Sequence, residues 1–289
     1  KTLFTKPLEM SLKDFYTDEP RIKAMCLHLC HDCNLRCRYC FANCGDYKTG
    51  ERGLLSFETG KKAIDFLLQS SGSRKNIDID FFGGEPLLNW DVVVLLTEYC
   101  KKAGPEKGKN IRLTITTNAV NLDEEKIAYI NENMSNCVLS LDGRPEINDS
   151  MRPMASGKGS YNIVSSNIMK LAKSRKEHTY FVRGTFTRKN LDFSDDVKHI
   201  VSLGISDTSI EPVVAPEESP YSIRTDDLPV IFSEYEKLAE DYYKARKNGK
   251  PYEFFDFTVD LDKVPCSYKR LKGCGVGSEY IAVTPSLDI

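Results

Sequence analysis

Apolar, strand-like runs alternate with helix-period segments along residues 24–214, and no other feature narrows the choice of fold as much. The strand-like runs fall at 24–29, 77–82, 111–117, 137–141, 180–187 and 208–214. Segments of helical period fill the gaps at 56–68, 90–102, 124–133, 161–172 and 193–203. Strand then helix, repeated, predicts a parallel sheet with crossover helices. Eight such repeats would close a barrel of about 250 residues. Six repeats predict an α/β fold that stops short of closure, an open three-quarter (β/α)6 TIM-like barrel whose wide mouth admits a large substrate. The chain has 289 residues, 40% hydrophobic and 28% charged, enough to bury one large core and part of another. A charged helix is expected over 228–247, and Gly249-Lys250-Pro251 reads as a boundary. The organisation expected is therefore a lead-in over 1–22, a barrel core over 23–250 and the beginning of a second, cysteine-rich unit over 251–289.

Six of the ten cysteines (26, 30, 33, 37, 40 and 44) lie within one short stretch that follows the first strand-like run. Cys33, Cys37 and Cys40 form C-x3-C-x2-C, and three thiolates so close in sequence can bind three irons of a [4Fe–4S] cube. Cys26, Cys30 and Cys33 fit the same spacing, but Asp32 precedes the last of them, and Cys26 falls inside a strand where the pleat holds its side chain. Zinc is the other reading, because Cys30/Cys33 and Cys37/Cys40 are both C-x2-C pairs. Zinc ribbons usually separate their pairs by a dozen or more residues, and only residues 34–36 intervene here. A disulfide scaffold is disfavoured, since nothing suggests secretion. Cys26, Cys30 and Cys44 are expected to be packing residues or bystanders. The triplet with Tyr39 just before its last cysteine resembles the signature of radical S-adenosylmethionine enzymes. In that family the fourth iron is left open and is chelated by the cofactor's amino and carboxylate groups.

In a barrel of this kind ligands bind at the C-terminal ends of the strands, and polar motifs stand there. Gly83-Gly84-Glu85-Pro86 follows the second run, Thr116-Thr117-Asn118 ends the third, and Ser140-Leu141-Asp142-Gly143 ends the fourth. Each is also ordinary turn chemistry that stops a strand. The resemblance implies that Gly83, Gly84 and Glu85 hold the methionine amino group, with Glu85 supplying a carboxylate. It also implies that Thr116, Asn118, Ser140 and Asp142 contact the ribose and the methionine carboxylate. Arg183 is placed inside a strand, where an unpaired charge is costly, so it is expected to be paired, with the cofactor carboxylate as one partner; Arg152 is a second candidate. Tyr39 and Phe41 flank the last ligand and could cover the adenine.

Beyond residue 260, Cys266 and Cys274 lie in a glycine-rich stretch before a short strand expected over 280–285. This resembles the opening of the SPASM or twitch extension, which carries one or two auxiliary [4Fe–4S] clusters. Two thiolates cannot fill a four-ligand site, so the chain is expected to end inside that unit; because it opens on Lys1 with no methionine, residues are expected to be missing there as well. Segments such as 24–34, 182–187, 210–214 and 272–280 are similar to thioether-forming maturases of six-cysteine (SCIFF-type, ranthipeptide) precursor peptides. Leu287 stands where the SPASM or twitch extension usually has glycine, and Cys30 where the six-cysteine maturases are expected to carry a small residue such as alanine. The resemblance implies reductive cleavage of S-adenosylmethionine and a thioether cross-link in a cysteine-rich peptide, with flavodoxin or ferredoxin as electron donor. It names no catalytic acid or base. A sulfatase (formylglycine) maturase with the same extension, and a non-catalytic iron–sulfur or zinc protein, remain the alternatives. The formal charge of −2 gives no basic field for nucleic acid. No apolar run approaches the ~20 residues of a membrane span, and no secretory leader opens the chain, so a cytoplasmic, oxygen-poor setting is expected.

Overall fold

The first strand, β1 (Ala24–Cys30), is buried along its whole length, as expected for a central parallel strand covered on both faces. The computed structural model describes residues 21–175, 179–258 and 275–289. Seven more strands follow: β2 (Asn76–Gly83), β3 (Asn110–Thr117), β4 (Asn136–Ser140), β5 (Thr179–Phe186), β6 (Asp207–Pro212), β7 (Glu253–Phe254) and β8 (Tyr280–Val283). All pairings are parallel, in the order β7-β6-β5-β4-β3-β2-β1-β8. The two edge strands, β7 and β8, do not pair with each other, so the barrel is open between them. The six expected strands form the centre of this sheet. The short strand expected after residue 280 hydrogen-bonds to β1 and joins the same sheet. Residues on both sides of Gly249 therefore belong to one barrel wall.

The helices are α1 (Phe57–Ser70), α2 (Trp90–Glu106), α3 (Glu124–Asn133), α4 (Pro145–Met151), α5 (Tyr161–Ser174), α6 (Phe193–Ser202) and α7 (Leu228–Lys247). Sequence supplies their start signals. The Ser56 hydroxyl accepts from Thr59 N at the head of α1, and the Asp123 carboxylate accepts from Lys126 N at the head of α3. Pro229 stands in the first turn of α7, where its missing N–H costs nothing.

Strand periodicity sorts the side chains between two faces. Met25, Leu27, Leu29, Ile77, Ile79, Phe81, Leu113, Ile115, Cys137 and Leu139 point outward into the main apolar core beneath the helices. A second cluster, with Phe186, Phe193, Ile210, Leu238 and Phe254, seats α6 and α7 against β6 and β7. The alternate residues face the barrel interior and are mostly polar: Cys26, His28, Asp78, Asp80, Thr114, Thr116, Ser140, Arg183 and Glu211. A closed barrel fills that space with Val, Ile and Leu; here polar side chains stand among Phe82 and Val138 on the inner face. At its floor Arg112 donates to both oxygens of Asp78, at 2.6 and 2.8 Å.

Candidate active site

The loop after β1 carries the cysteine triplet across the C-terminal end of the barrel. Cys33, Cys37, Cys40, Tyr39, Phe41, Gly83, Gly84, Thr116, Asn118, Ser140, Arg152 and Arg183 line a single cavity of about 460 Å3. Glu85 and Asp142 stand behind its wall, fully buried. Cys266 and Cys274 lie outside the described residues. The three strand-end motifs, Arg183 and the cysteine loop are thus brought together on one cavity, with the carboxylates of Glu85 and Asp142 turned away.

Glycines let the pieces meet. Gly84 packs its backbone on the base of the cysteine loop so closely that a Cβ would sit 2.0 Å from the Asp32 carbonyl oxygen. Gly83, at φ +119°, would place one 2.4 Å from Cys30 O. Gly84 N donates to Cys30 O at 2.7 Å and Glu85 N donates to Asp32 O at 2.9 Å. The glycine pair is therefore demanded by contact with the cysteine loop itself, in addition to any ligand.

Glu85, expected to offer its carboxylate to the methionine amino group, is engaged within the protein. Its oxygens accept from Thr117 Oγ1 (2.7 Å), Asn118 N (2.8 Å) and Leu87 N (3.0 Å). It thereby caps the short turn Pro86–Asn89 and ties it to the end of β3. Burial pushes its carboxyl up to about 7.

Asp142 also faces inward. It accepts from Arg152 Nε at 2.8 Å, from the Tyr39 hydroxyl at 2.6 Å and from Thr185 N at 3.0 Å. The Arg152 guanidinium lies 5.5 Å from the centroid of the Tyr39 ring. Burial would lower the Arg152 pKa, but Asp142, Tyr39 and Cys37 outweigh it and hold the group well above its ordinary value. Its cationic head remains on the cavity wall. Burial also drives the Tyr39 phenol well up, so it stays a donor. Thr116 Oγ1 donates to Asp80 at 3.3 Å, and Asn118 Nδ2 donates to Asn34 Oδ1 at 2.7 Å and lies 3.6 Å from Cys33 Sγ. Arg183 is paired, as its strand position requires, and its partner is Glu211. Phe41 stands exposed at the rim with Val214.

The donor set suits an iron–sulfur cube. Each thiol of the triplet borders the cavity, and a four-iron cube holds its ligand sulfurs farther apart than a single ion does. Among the described residues no three Cys, His, Asp or Glu side chains converge closely enough to hold a metal ion as they stand. Burial pushes Cys33 up to about 12 and Cys37 to about 11, the latter opposed by the Arg152 charge. Loading must remove these protons, and Arg152 beside Cys37 favours the thiolate. Cys30 is buried at the end of β1, where its sulfur accepts from Asp32 N at 3.2 Å, and Cys26 is buried on the inner face.

Several site residues went unread in the sequence. Glu211 lines the cavity, and Asp80 lies beneath it with its carboxyl raised to about 7 by burial. The signal was available in the period-two pattern, since Asp78 and Asp80 alternate with Ile77 and Ile79. His28, His31 and Tyr47 form a stacked aromatic group next to the cysteine loop. His28 shares a face with Cys26 and Cys30, but nothing in sequence pairs it with Tyr47.

Residues 27–194 match the model of the Radical SAM superfamily, and the chain belongs to that superfamily. It is 32% identical over 199 residues to an uncharacterised protein of Methanocaldococcus jannaschii, covering 66% of this chain and 62% of the relative. It is 26% identical over 230 residues to the cysteine-type anaerobic sulfatase-maturating enzyme of Clostridium novyi, covering 76% and 59%. The structure of native anSMEcpe with bound AdoMet and Kp18Cys peptide shares the fold. Its TM-score is 0.70 at 21% identity, over 81% of this chain and 64% of that one. The chain spans about three fifths of the length of these two relatives.

Proposed function

We propose that this chain is the S-adenosylmethionine-cleaving core of a peptide maturase that forms cysteine thioether cross-links in a ribosomally made precursor. The observation that carries the cofactor assignment is the convergence of Cys33, Cys37, Cys40, Gly83, Gly84 and Arg152 on one cavity. Cys33, Cys37 and Cys40 would bind three irons of the cube and leave the fourth for the cofactor. A reduced cube with S-adenosylmethionine bound would supply there a 5′-deoxyadenosyl radical able to take hydrogen from carbon. The Gly83-Gly84 backbone faces the cavity where the methionine amino group would lie, and Glu85 keeps that turn in place from behind. Arg152, fixed by Asp142, offers its remaining N–H groups to the methionine carboxylate. Thr116, Asn118 and Ser140 line the same cavity and would bond the ribose. Tyr39, with its hydroxyl tied to Asp142, and Phe41 at the rim would cover the adenine and exclude water. Arg183 and Glu211 form an ion pair on the cavity wall that a bound peptide would meet.

Peptide as substrate is supported by the relatives: one is a sulfatase-maturating enzyme, and one related structure holds a peptide. Thioether formation is supported by the segmental likeness to six-cysteine maturases, and auxiliary clusters at Cys266 and Cys274 are part of the same proposal. The test is mass spectrometry of a six-cysteine precursor peptide after anaerobic incubation with the full-length protein, reductant and S-adenosylmethionine. Loss of two hydrogens with a cross-link is expected. A formyl product would favour the sulfatase-type reaction, and an unchanged peptide without 5′-deoxyadenosine would overturn both.

A further inference from the structure

The turn after β3 adopts a backbone conformation that its sequence does not favour. Ala119 has φ +61° and is fully buried, its methyl part of the main core. Glycine enters the left-handed region freely and asparagine or aspartate with help from a polar side chain; alanine has nothing to offset the clash of its Cβ. Such a residue keeps that conformation only where its surroundings enforce it. Two of the enforcing bonds are local. Ala119 N donates to Thr117 Oγ1 and Val120 N donates to Asn118 Oδ1, both at 3.0 Å.

The remaining grip comes from a helix 48 positions away. Asn167, on α5, donates from Nδ2 to Ala119 O at 3.0 Å and reaches Val120 O at 3.5 Å. Only an N–H can pair with a carbonyl, so the orientation of this amide is settled. Asn167 borders a surface groove with Val120, Asn121 and Lys170, outside the cavity of the candidate site. The turn it holds does reach that cavity. Asn118 lies on the cavity wall, its backbone N–H bonded to Glu85 Oε2 at 2.8 Å and its Nδ2 to Asn34 Oδ1 in the cysteine loop at 2.7 Å. Because Asn118 Oδ1 is held by Val120 N, any shift of the backbone at 119 and 120 turns the Asn118 amide as well.

We propose that Asn167 is a positioning residue for S-adenosylmethionine: it clamps the strained Ala119 turn and so keeps the Asn118 amide on the wall that would meet the ribose. The inference rests on the reading that this cavity binds the cofactor. Without the clamp, Ala119 relaxes out of the left-handed region and fewer molecules hold Asn118 in place. Apparent affinity then falls with the fraction that remains competent. Glycine at 119 takes the same φ without strain, so it should make the clamp dispensable.

Asn167→Ala removes the clamp, and alanine is the better helix former at that position of α5, so the fold is kept. In the iron-free protein, hydrogen exchange of residues 118–120, read by mass spectrometry, should be faster in the variant than in wild type. After anaerobic reconstitution of the full-length protein, iron and sulfide content should match wild type. S-adenosylmethionine, measured by equilibrium dialysis without reductant, should bind about 3–10-fold more weakly, the worth of one lost neutral hydrogen bond. Adding Ala119→Gly to Asn167→Ala should restore most of that affinity, a rescue that a merely structural role for Asn167 would not show. Unchanged exchange or unchanged affinity in Asn167→Ala would overturn the inference alone, and so would a double variant that binds no better than the single one. Wild-type protein that binds no S-adenosylmethionine would overturn the reading beneath it.

Discussion

Gly84 is the position where a single methyl group should disturb the site most. A Cβ there would lie 2.0 Å from Asp32 O and 2.6 Å from Asp32 C, with Gly45 Cα at 3.1 Å. These are backbone atoms at the base of the cysteine loop, so no flexible side chain can yield. Gly84→Ala must push the turn off the loop, breaking Gly84 N to Cys30 O (2.7 Å) and Glu85 N to Asp32 O (2.9 Å). Two such bonds contribute about 1 kcal/mol each, and overpacking adds about 1–3 kcal/mol. The expected loss is about 3–5 kcal/mol, and at about 2 °C per kcal/mol for a chain of this size that lowers the melting temperature by roughly 6–10 °C. Circular dichroism melts of the iron-free protein measure it. Gly53→Ala is the control, because a Cβ at Gly53 meets nothing within 4 Å. Iron uptake on reconstitution should fall in the Gly84 variant as the loop loses its support. Equal melting temperatures for the two variants would refute the argument that the glycine pair serves this contact.

Two further substitutions test the buried charges. Asp142→Asn leaves the Arg152 cation without its counter-charge and weakens the anchor of Tyr39; breaking a buried pair typically costs about 3–5 kcal/mol, and urea denaturation of the iron-free protein should show a loss of that order. Burial raises the Asp80 carboxyl from 3.8 to about 7. The folded state therefore holds that proton more tightly than the unfolded chain, and the associated stability is full below pH 4 and lost as pH rises through 7. Asp80→Asn should match wild type near pH 4 and be the more stable protein at pH 8; denaturation midpoints at the two pH values decide this, and an equal difference at both would contradict it.

The sequence revealed the barrel because parallel strands buried on both faces leave apolar runs, and amphipathic helices leave a 3.6-residue period. All six strand-like runs and the long helix over 228–247 lie where that pattern placed them. The edges were harder. β7 is two residues long, too short for any period to emerge, and β8 sits after the glycine-rich stretch but pairs with β1 at the far edge. Local chemistry also hid the role of Glu85, since a carboxylate before proline reads equally as a free ligand and as a turn cap. Asp142 is joined to Tyr39 across 103 positions, a contact that only the fold creates. Leu287 shows the reverse case. It takes φ +72° where related sequences were expected to carry glycine, and its N–H still donates to Thr284 O at 3.0 Å, so the turn forms without glycine.

Cys33, Cys37 and Cys40, and not the overlapping Cys26-Cys30-Cys33 set, are the residues proposed to hold the cube that cleaves S-adenosylmethionine. Chromatographic measurement of 5′-deoxyadenosine after anaerobic reconstitution and dithionite reduction tests this assignment most directly. Replacing Cys33, Cys37 and Cys40 together by alanine should abolish the product, whereas Cys26→Ala with Cys30→Ala should retain most of it. Undiminished 5′-deoxyadenosine from the triple variant would contradict the account.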